Sequence, residues 1–418
     1  MKISPGGSIE VLIVQGNNRQ GLAVARSLAR HGVRFALASD QADGPASHSR
    51  FVRDHLLSPY PLTQSEAYAG YLSEVIQKLD IRLVIPAGDQ ALLFLNTFRS
   101  RLPDQARLAM ASSQAVERVI DKRLNLELAT QLGIPCPRQF ELQHPGQIPE
   151  MIQVLGLPVV LKPPSVPNHP DRPGFNFKVL YAHTEQQLRS YVQEHCSFGH
   201  YPLFQECAVG EVHCLCCFAV QGELIAVHAY QPLRRKAGLG ILRRIVTPRP
   251  DLVQHTRDLL RGLDWEGIAH VAFYVSHDGQ KKWYMETNGR FWASTEGSVQ
   301  AGWDFPYWVY RYFLHGERPV PGEIRIGSQT CWRGGDLMAL LEYYRGGEPP
   351  DAGTDPGKVR ATWQYLSGFS PRVHSDLARW NDPMPEVMEH WQIANRSWRF
   401  VKSRLTKVIK SPRETLHV

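Results

Sequence analysis

Glu286-Thr287-Asn288-Gly289-Arg290 is the stretch on which the reading of this chain turns. In an extended strand side chains alternate between faces, so Glu286, Asn288 and Arg290 project to one side. A carboxylate and an amide oxygen so placed can hold a magnesium ion, and the guanidinium beside them can grip phosphate oxygens. Lys281 to Met285 leads into the stretch, and Ser276-His277-Asp278-Gly279 reads as a hairpin turn from an earlier strand, Ala269 to Val275. The plainer alternative is a half-exposed strand whose Glu and Arg pair across a sheet face, a contact of about 0.2–1 kcal/mol.

A chain of 418 residues with 43% hydrophobic and 10% aromatic content has room for two to four domains with cores of their own. No apolar run approaches the length of a membrane span, and Met1 to Gly7 lacks the apolar stretch of a secretory signal, so a cytoplasmic protein is expected. Seven cysteines are an odd number for a disulfide framework. Cys214, Cys216 and Cys217 crowd an apolar strand-like run and are expected reduced and structural; His213 with them would make only half of a zinc site. The net charge of +7 is local. Residues 395–418 carry seven Lys or Arg against Glu414 alone, and 234–249 carry six with no acid. With no nucleic-acid-binding motif or stacking ladder beside them, no nucleic-acid partner is expected, and the middle patch suits an anionic ligand.

Ile9 to about Ser113 reads as βαβ units: a buried strand Val11 to Val14, the loop Gly16 to Gly21, a helix carrying Leu22, Ala25 and Leu28, and strands at Phe35 to Ala38 and Arg82 to Pro86. The loop has Asn18 where a dinucleotide fingerprint needs Gly, and Gly21-Leu22-Ala23 where a P-loop needs Gly-Lys-Ser/Thr. It is a tight turn or a small-molecule contact. A helix after Gln114 stops at Gly133-Ile134-Pro135. Leu157 to Pro163 is a short buried strand with Lys162 at its end, and the proline-rich Pro164 to Gly174 reads as a loop or lid. A strand ending at Gln205-Glu206 leads through Gly210-Glu211 into the Cys-rich strand and its hairpin partner, Glu223 to Tyr230. In the tail, Phe400, Val401, Leu405, Val408 and Ile409 are separated by cations. Such a helix can lie weakly on an anionic membrane surface or stand solvated.

In order, Asp121-Lys122, Gly133-Ile134-Pro135, Val160-Leu161-Lys162-Pro163, Gln205-Glu206, Gly210-Glu211 and Glu286 to Arg290 resemble the ATP-grasp superfamily. Phe291-Trp292 and Trp303-Asp304-Phe305-Pro306 make the chain most similar to its carboxylate–amine ligases, also called ATP-dependent carboligases. The resemblance covers about residues 9–318. It implies an α/β and α+β multidomain chain: a Rossmann-like domain over 1–115, the small lobe with its lid over 116–200, the large lobe over 201–318 and a C-terminal extension over 319–418. It also implies ATP and Mg2+, with Lys122 and Lys162 on α- and β-phosphates, Gln205 and Glu206 beside adenine, Glu211 on ribose, Glu286 and Asn288 on magnesium, and Arg290 on the transferring phosphoryl group. The reaction implied joins a small-molecule carboxylate to an amine through an acyl phosphate, and look-alikes are often homodimers.

Two departures stand out. Relatives carry a carboxylate on the neighbouring strand where this chain has Val271-Ala272-Phe273, leaving Asp264, His270 or water as stand-ins. The glycine-rich phosphate loop is poor, with only Gly174 between Lys162 and Val179. Arg243 and Arg244, on a Gly-containing basic stretch, read as a catalytic clamp on a mobile loop, or else as a solvated basic loop. The alternative to a ligase is a catalytically impaired ATP-binding regulator of the same fold. A carboxylase-type reaction on bicarbonate stays open, and a Rossmann oxidoreductase would rest on the N-terminal unit alone.

Overall fold

Short strands of Val, Ile, Leu and Ala with no polar alternation belong in a parallel sheet covered on both faces, and the N-terminal quarter forms one. The computed structural model describes residue 4 and residues 7–164, 177, 179–196, 201–236, 238–347 and 356–410, with side chains to 399. Its first elements are β1 (Val11–Val14), α1 (Arg19–Arg30), β2 (Phe35–Ser39), β3 (His55–Leu57), α2 (Ser65–Leu79), β4 (Leu83–Pro86), α3 (Asp89–Thr97) and β5 (Arg107–Leu108). The strands lie in the order β3-β2-β1-β4-β5 and all pair in parallel. The loop from Gly16 to Gly21 is a tight turn: a Cβ on Gly21 would stand 2.0 Å from the Gly16 carbonyl oxygen. Asn18 caps α1 by accepting from the Gly21 amide at 2.8 Å. Chain order reverses beside β1, so the loop after β4 that begins α3 lies where such sheets present ligand-binding residues.

Two helices follow, α4 (Ser113–Ile120) and α5 (Lys122–Gln131). Asp121 separates them and caps α5 through the amides of Arg123 and Leu124 at 2.8 and 3.3 Å. The next elements are β6 (Gln139–Phe140), α6 (Ile148–Leu155), β7 (Val159–Lys162), β8 (Leu180–Ala182), α7 (Glu185–His195) and β9 (Leu203–Glu206). Their sheet has the order β6-β9-β7-β8. The sequence reading starts the large lobe at 201, but β9 pairs with β6 and β7 and so belongs to this small sheet. Most of the expected lid, 165–176, lies outside the described residues.

The large sheet is built from β10 (Glu211–Val220), β11 (Glu223–Lys236), β12 (Leu239–Val246), β13 (Gly267–Val275) and β14 (Lys282–Asn288), with α8 (Pro250–Gly262) crossing between β12 and β13. Beyond it come α9 (Thr295–Ala301), α10 (Phe305–His315), β15 (Gln329–Cys331), α11 (Arg333–Tyr344), α12 (Lys358–Ser367), β16 (Val373–Ser375) and α13 (Met384–Lys410). The sheet order is β14-β13-β10-β11-β12-β15-β16, so the region after 318 adds two strands to it instead of standing apart. Cys214, Cys216 and Cys217 are free and buried in β10. Among the described residues no three His, Cys, Asp or Glu side chains group as a metal site, and no helix is long and apolar enough to cross a membrane. On α13, Trp391 and Trp398 are exposed, while the side chains from Phe400 onward are not among those described.

The basic stretch read as a mobile loop is instead the end of the β11–β12 hairpin, held by ion pairs to the C-terminal region. Arg234 donates to Asp336. Arg243 places Nη1 at 3.0 and 2.8 Å from the two oxygens of Asp376. Arg19 of α1 reaches the same carboxylate at 3.0 Å and stacks its guanidinium 3.8 Å over the Trp332 ring.

Candidate functional site

The hairpin that carries the opening pentapeptide sets the site. Ala272 of β13 lies opposite Glu286, and His270 lies opposite Asn288. A register shift between Ala272 and Phe273 leaves Met285 as an extra residue on β14. The strand ends at Asn288, and Gly289 then passes over the buried Trp265 ring, where a Cβ would come within 2.4 Å of the ring edge. Gly289→Ala must therefore displace the indole or the turn. It is expected to cost about 1–3 kcal/mol and to disturb Arg290, and it is checked by urea unfolding together with nucleotide affinity.

Arg290 is held by a two-pronged pair with Asp89, the first residue of α3: Nε to Oδ1 and Nη2 to Oδ2 are both 2.9 Å. The same Nη2 lies 3.4 Å from Asn288 Oδ1, and Asn288 Nδ2 donates to Glu286 Oε1 at 3.1 Å. Asp89, Glu286 and Asn288 line a small cleft with Lys122 and Asn125. Tyr284 fixes the cleft's wall from behind, its hydroxyl bonded to Asn125 and, at 2.7 Å, to Thr287. Burial alone would raise the Glu286 pKa, but Lys122, the Asn288 amide, Lys162 and Arg290 together bring it below the ordinary carboxylate value. Lys162 feels the opposite balance. Burial lowers its pKa to about 8, with Glu286 opposing that fall and Lys122 adding to it. Lys122, Lys162, Glu286, Asn288 and Arg290 thus share one electrostatic neighbourhood, two lysines from separate elements facing the end of β14.

His270 is 8% exposed. Its Nε2 is 3.0 Å from the Tyr230 hydroxyl, its Nδ1 has no partner among the described residues, and burial first and then Arg290 hold it neutral with a pKa of about 4. Asp264 is in the turn after α8, its amide donating to Arg261, ahead of β13 and away from Ala272. Gln205 is buried at the end of β9. Glu206 beside it is pushed up by burial but pulled below its ordinary value by the Arg138 amide and guanidinium at 3.0 and 2.6 Å, and it also accepts from Trp283 Nε1 at 3.1 Å. Glu211 opens β10 and accepts from Gln231 at 3.0 Å.

Arg243 and Arg244 do not form a joint clamp. Adjacent residues of a strand face opposite ways: Arg243 is 3% exposed with its guanidinium on Asp376 and the Gly240 carbonyl, and Arg244 is exposed. What sequence reasoning did not foresee is the pairing of Asp89 with Arg290. The signal for Asp89 is its position just past a parallel strand, at the carboxyl edge of the first sheet.

No protein-family model matches the sequence, and no curated protein matches it. Solved structures do. The biotin carboxylase domain dimer of Hydrogenobacter thermophilus 2-oxoglutarate carboxylase, in complex with MgADP, ADP and bicarbonate, superposes with a TM-score of 0.62 at 14% identity over 78% of this chain and 74% of its own. The Staphylococcus aureus N5-carboxyaminoimidazole synthetase complexed with ADP gives 0.60 at 12% identity over 83% and 87%. The Bacillus licheniformis L-amino acid ligase gives 0.56 at 15% identity over 78% and 79%. The chain has the fold these enzymes share, the ATP-grasp fold.

Proposed function

We propose that the protein is an ATP- and magnesium-dependent ligase that joins a carboxylate to an amine through an acyl phosphate, releasing ADP and phosphate. The observation that carries this is Glu286, which lines one cleft with Lys122 and Asn288 and whose carboxylate feels the charges of Lys122, Lys162 and Arg290. Support comes from fold neighbours whose structures hold ADP or MgADP and from the amino acid ligase among them. In this reading the substrate carboxylate attacks the γ-phosphorus of ATP, and the bond to the β,γ-bridging oxygen breaks to leave ADP. The amine then adds to the acyl carbon, loses its proton and expels phosphate. Such transfer needs positioning and charge neutralisation more than a nucleophilic side chain. Lys122 and Lys162 neutralise phosphate oxygens, and Arg290 meets the transferring group. Gln205 and Glu206 border the adenine, and Glu211 takes the ribose hydroxyls.

The donor set suits magnesium: an ionised carboxylate and an amide oxygen, short of a full protein cage, leave room for phosphate oxygens and water. Glu286 and Asn288 would hold the ion, which when bound supplies charge neutralisation at the β- and γ-phosphates. The test is hydroxylamine trapping of the acyl phosphate while carboxylic acids are screened with ATP and magnesium. ATP bound without hydroxamate or ADP would favour the second reading, an ATP-binding regulator, for which the specific observation is Ala272 opposite Glu286.

A pH dependence follows from Lys162. With a pKa of about 8 in the free protein, it is charged at neutral pH and loses its proton as pH rises through that value. ATP affinity is therefore expected to weaken above pH 8, approaching one log unit per pH unit, and Lys162→Gln should flatten that slope. Isothermal titration from pH 6.5 to 9.5 checks it, and an equally steep profile in the variant would remove Lys162 from the phosphates.

A further inference from the structure

We infer that Asp89 supplies the carboxylate that position 272 lacks, acting as a third protein ligand of the magnesium ion once nucleotide is bound; this rests on the function proposed above. Alanine at 272, directly across from Glu286, leaves one protein carboxylate on β13 and β14 at the metal position. Asp89 is the acid that approaches this position from the N-terminal sheet. It lines the same cleft as Glu286 and Asn288, and it meets Asn288 on a single nitrogen of Arg290, at 2.9 and 3.4 Å. The guanidinium bridges the two oxygens as a cation would. Both oxygens are thus already gathered around one cationic nitrogen, and a magnesium ion, which takes oxygen ligands, can draw on the same pair.

The exchange balances charge. When the γ-phosphate draws Arg290 away, Asp89 would be left an unpaired, largely covered carboxylate, and a cation arriving with the phosphates replaces the guanidinium there. Arg290 keeps an anionic partner, phosphate in place of Asp89, and no buried charge is stranded. His270 lies opposite Asn288 with Nδ1 unpartnered among the described residues, but magnesium prefers oxygen ligands to imidazole. Asp89 is about one third exposed, and no described hydrogen bond other than that to Arg290 ties its carboxylate down, so it is able to turn.

The experiment uses the full chain with Mn2+ as the probe ion and the non-hydrolysable analogue AMP-PNP, reading bound Mn2+ by electron paramagnetic resonance and nucleotide affinity without metal by calorimetry. In Asp89→Asn, and in Asp89→Ala as the second variant, Mn2+ affinity in the ternary complex is expected to fall at least about tenfold. Metal-free nucleotide affinity should hold or rise, because Arg290 is released. Unchanged Mn2+ affinity with tighter nucleotide would make Asp89 a latch on Arg290 and overturn the inference while sparing the proposed function. Wild-type protein that binds neither AMP-PNP nor Mn2+ with it would overturn both. Thermal unfolding of the same samples reports whether the variants are folded.

Discussion

Glu286→Gln and Arg290→Ala are each expected to lower ATP-dependent hydroxamate formation by about 10^3-fold or more while leaving the fold intact. Glutamine keeps the volume of Glu286 and can still accept from Asn288, so the wall formed by Tyr284, Asn125 and Thr287 has no reason to move. What disappears is the negative charge that Lys122 and Lys162 hold in its ionised form. Without it Lys162 loses the opposing influence on its burial-lowered pKa, and the cleft holds cations without the carboxylate that would bind an ion between them and the phosphates. Arg290→Ala acts differently. It frees Asp89, whose carboxylate is partly solvated and tolerates the loss, but it removes the guanidinium beside Asn288. The measurement is the trapping assay with thermal unfolding in parallel. Unchanged turnover in both variants would place the chemistry elsewhere.

That Ala272 lies roughly opposite Glu286 is expected from the hairpin, but the register was not legible: six residues, not four, separate the paired Val275 and Lys282, and Met285 is an extra residue on β14. The lysines were singled out by the ordered motifs: Lys162 ends a short buried strand, and Lys122 was read within one helix that the structure divides at Asp121, which caps α5. Also not legible is where distant segments meet. Nothing local in Leu203 to Glu206 says which sheet it joins. Three-residue strands such as β15 and β16 carry too few side chains for a period. Gly238 and Gly240 suggested a loose loop around Arg243, yet Asp376 fixes that arginine from 133 positions away. Asp89 belongs with these: its carboxylate gains meaning from Arg290, 201 positions along the chain.

The C-terminal region should likewise prove integral to the N-terminal sheet, because Asp382→Ala is expected to cost about 3–5 kcal/mol of stability. Arg26 of α1 is a guanidinium with 0% side-chain exposure against a carboxylate with 1%. Its Nε donates to Asp382 Oδ2 at 2.8 Å, and its Nη2 donates to the carbonyls of Leu377 and Asp382 at 2.6 and 3.0 Å. Asp382 also accepts from the Ser49 hydroxyl at 2.6 Å and the Arg50 amide at 3.0 Å, so one carboxylate satisfies three residues from two segments. Alanine removes the carboxylate that accepts from Arg26, Ser49 and Arg50 and leaves a buried cation with only the two carbonyls; burial already lowers the Arg26 pKa, with Glu296 and then Asp382 opposing that shift. Arg26→Met combined with Asp382→Leu removes both charges, and it should cost less than Asp382→Ala alone even though Ser49 and Arg50 still lose their acceptor. Urea unfolding, with limited proteolysis to see whether the segment after Ser375 detaches first, decides the matter. If Asp382→Ala unfolds at the wild-type midpoint, the buried pair does not join α1 to the C-terminal region, and other contacts, such as those of Asp376 with Arg19 and Arg243, hold that junction.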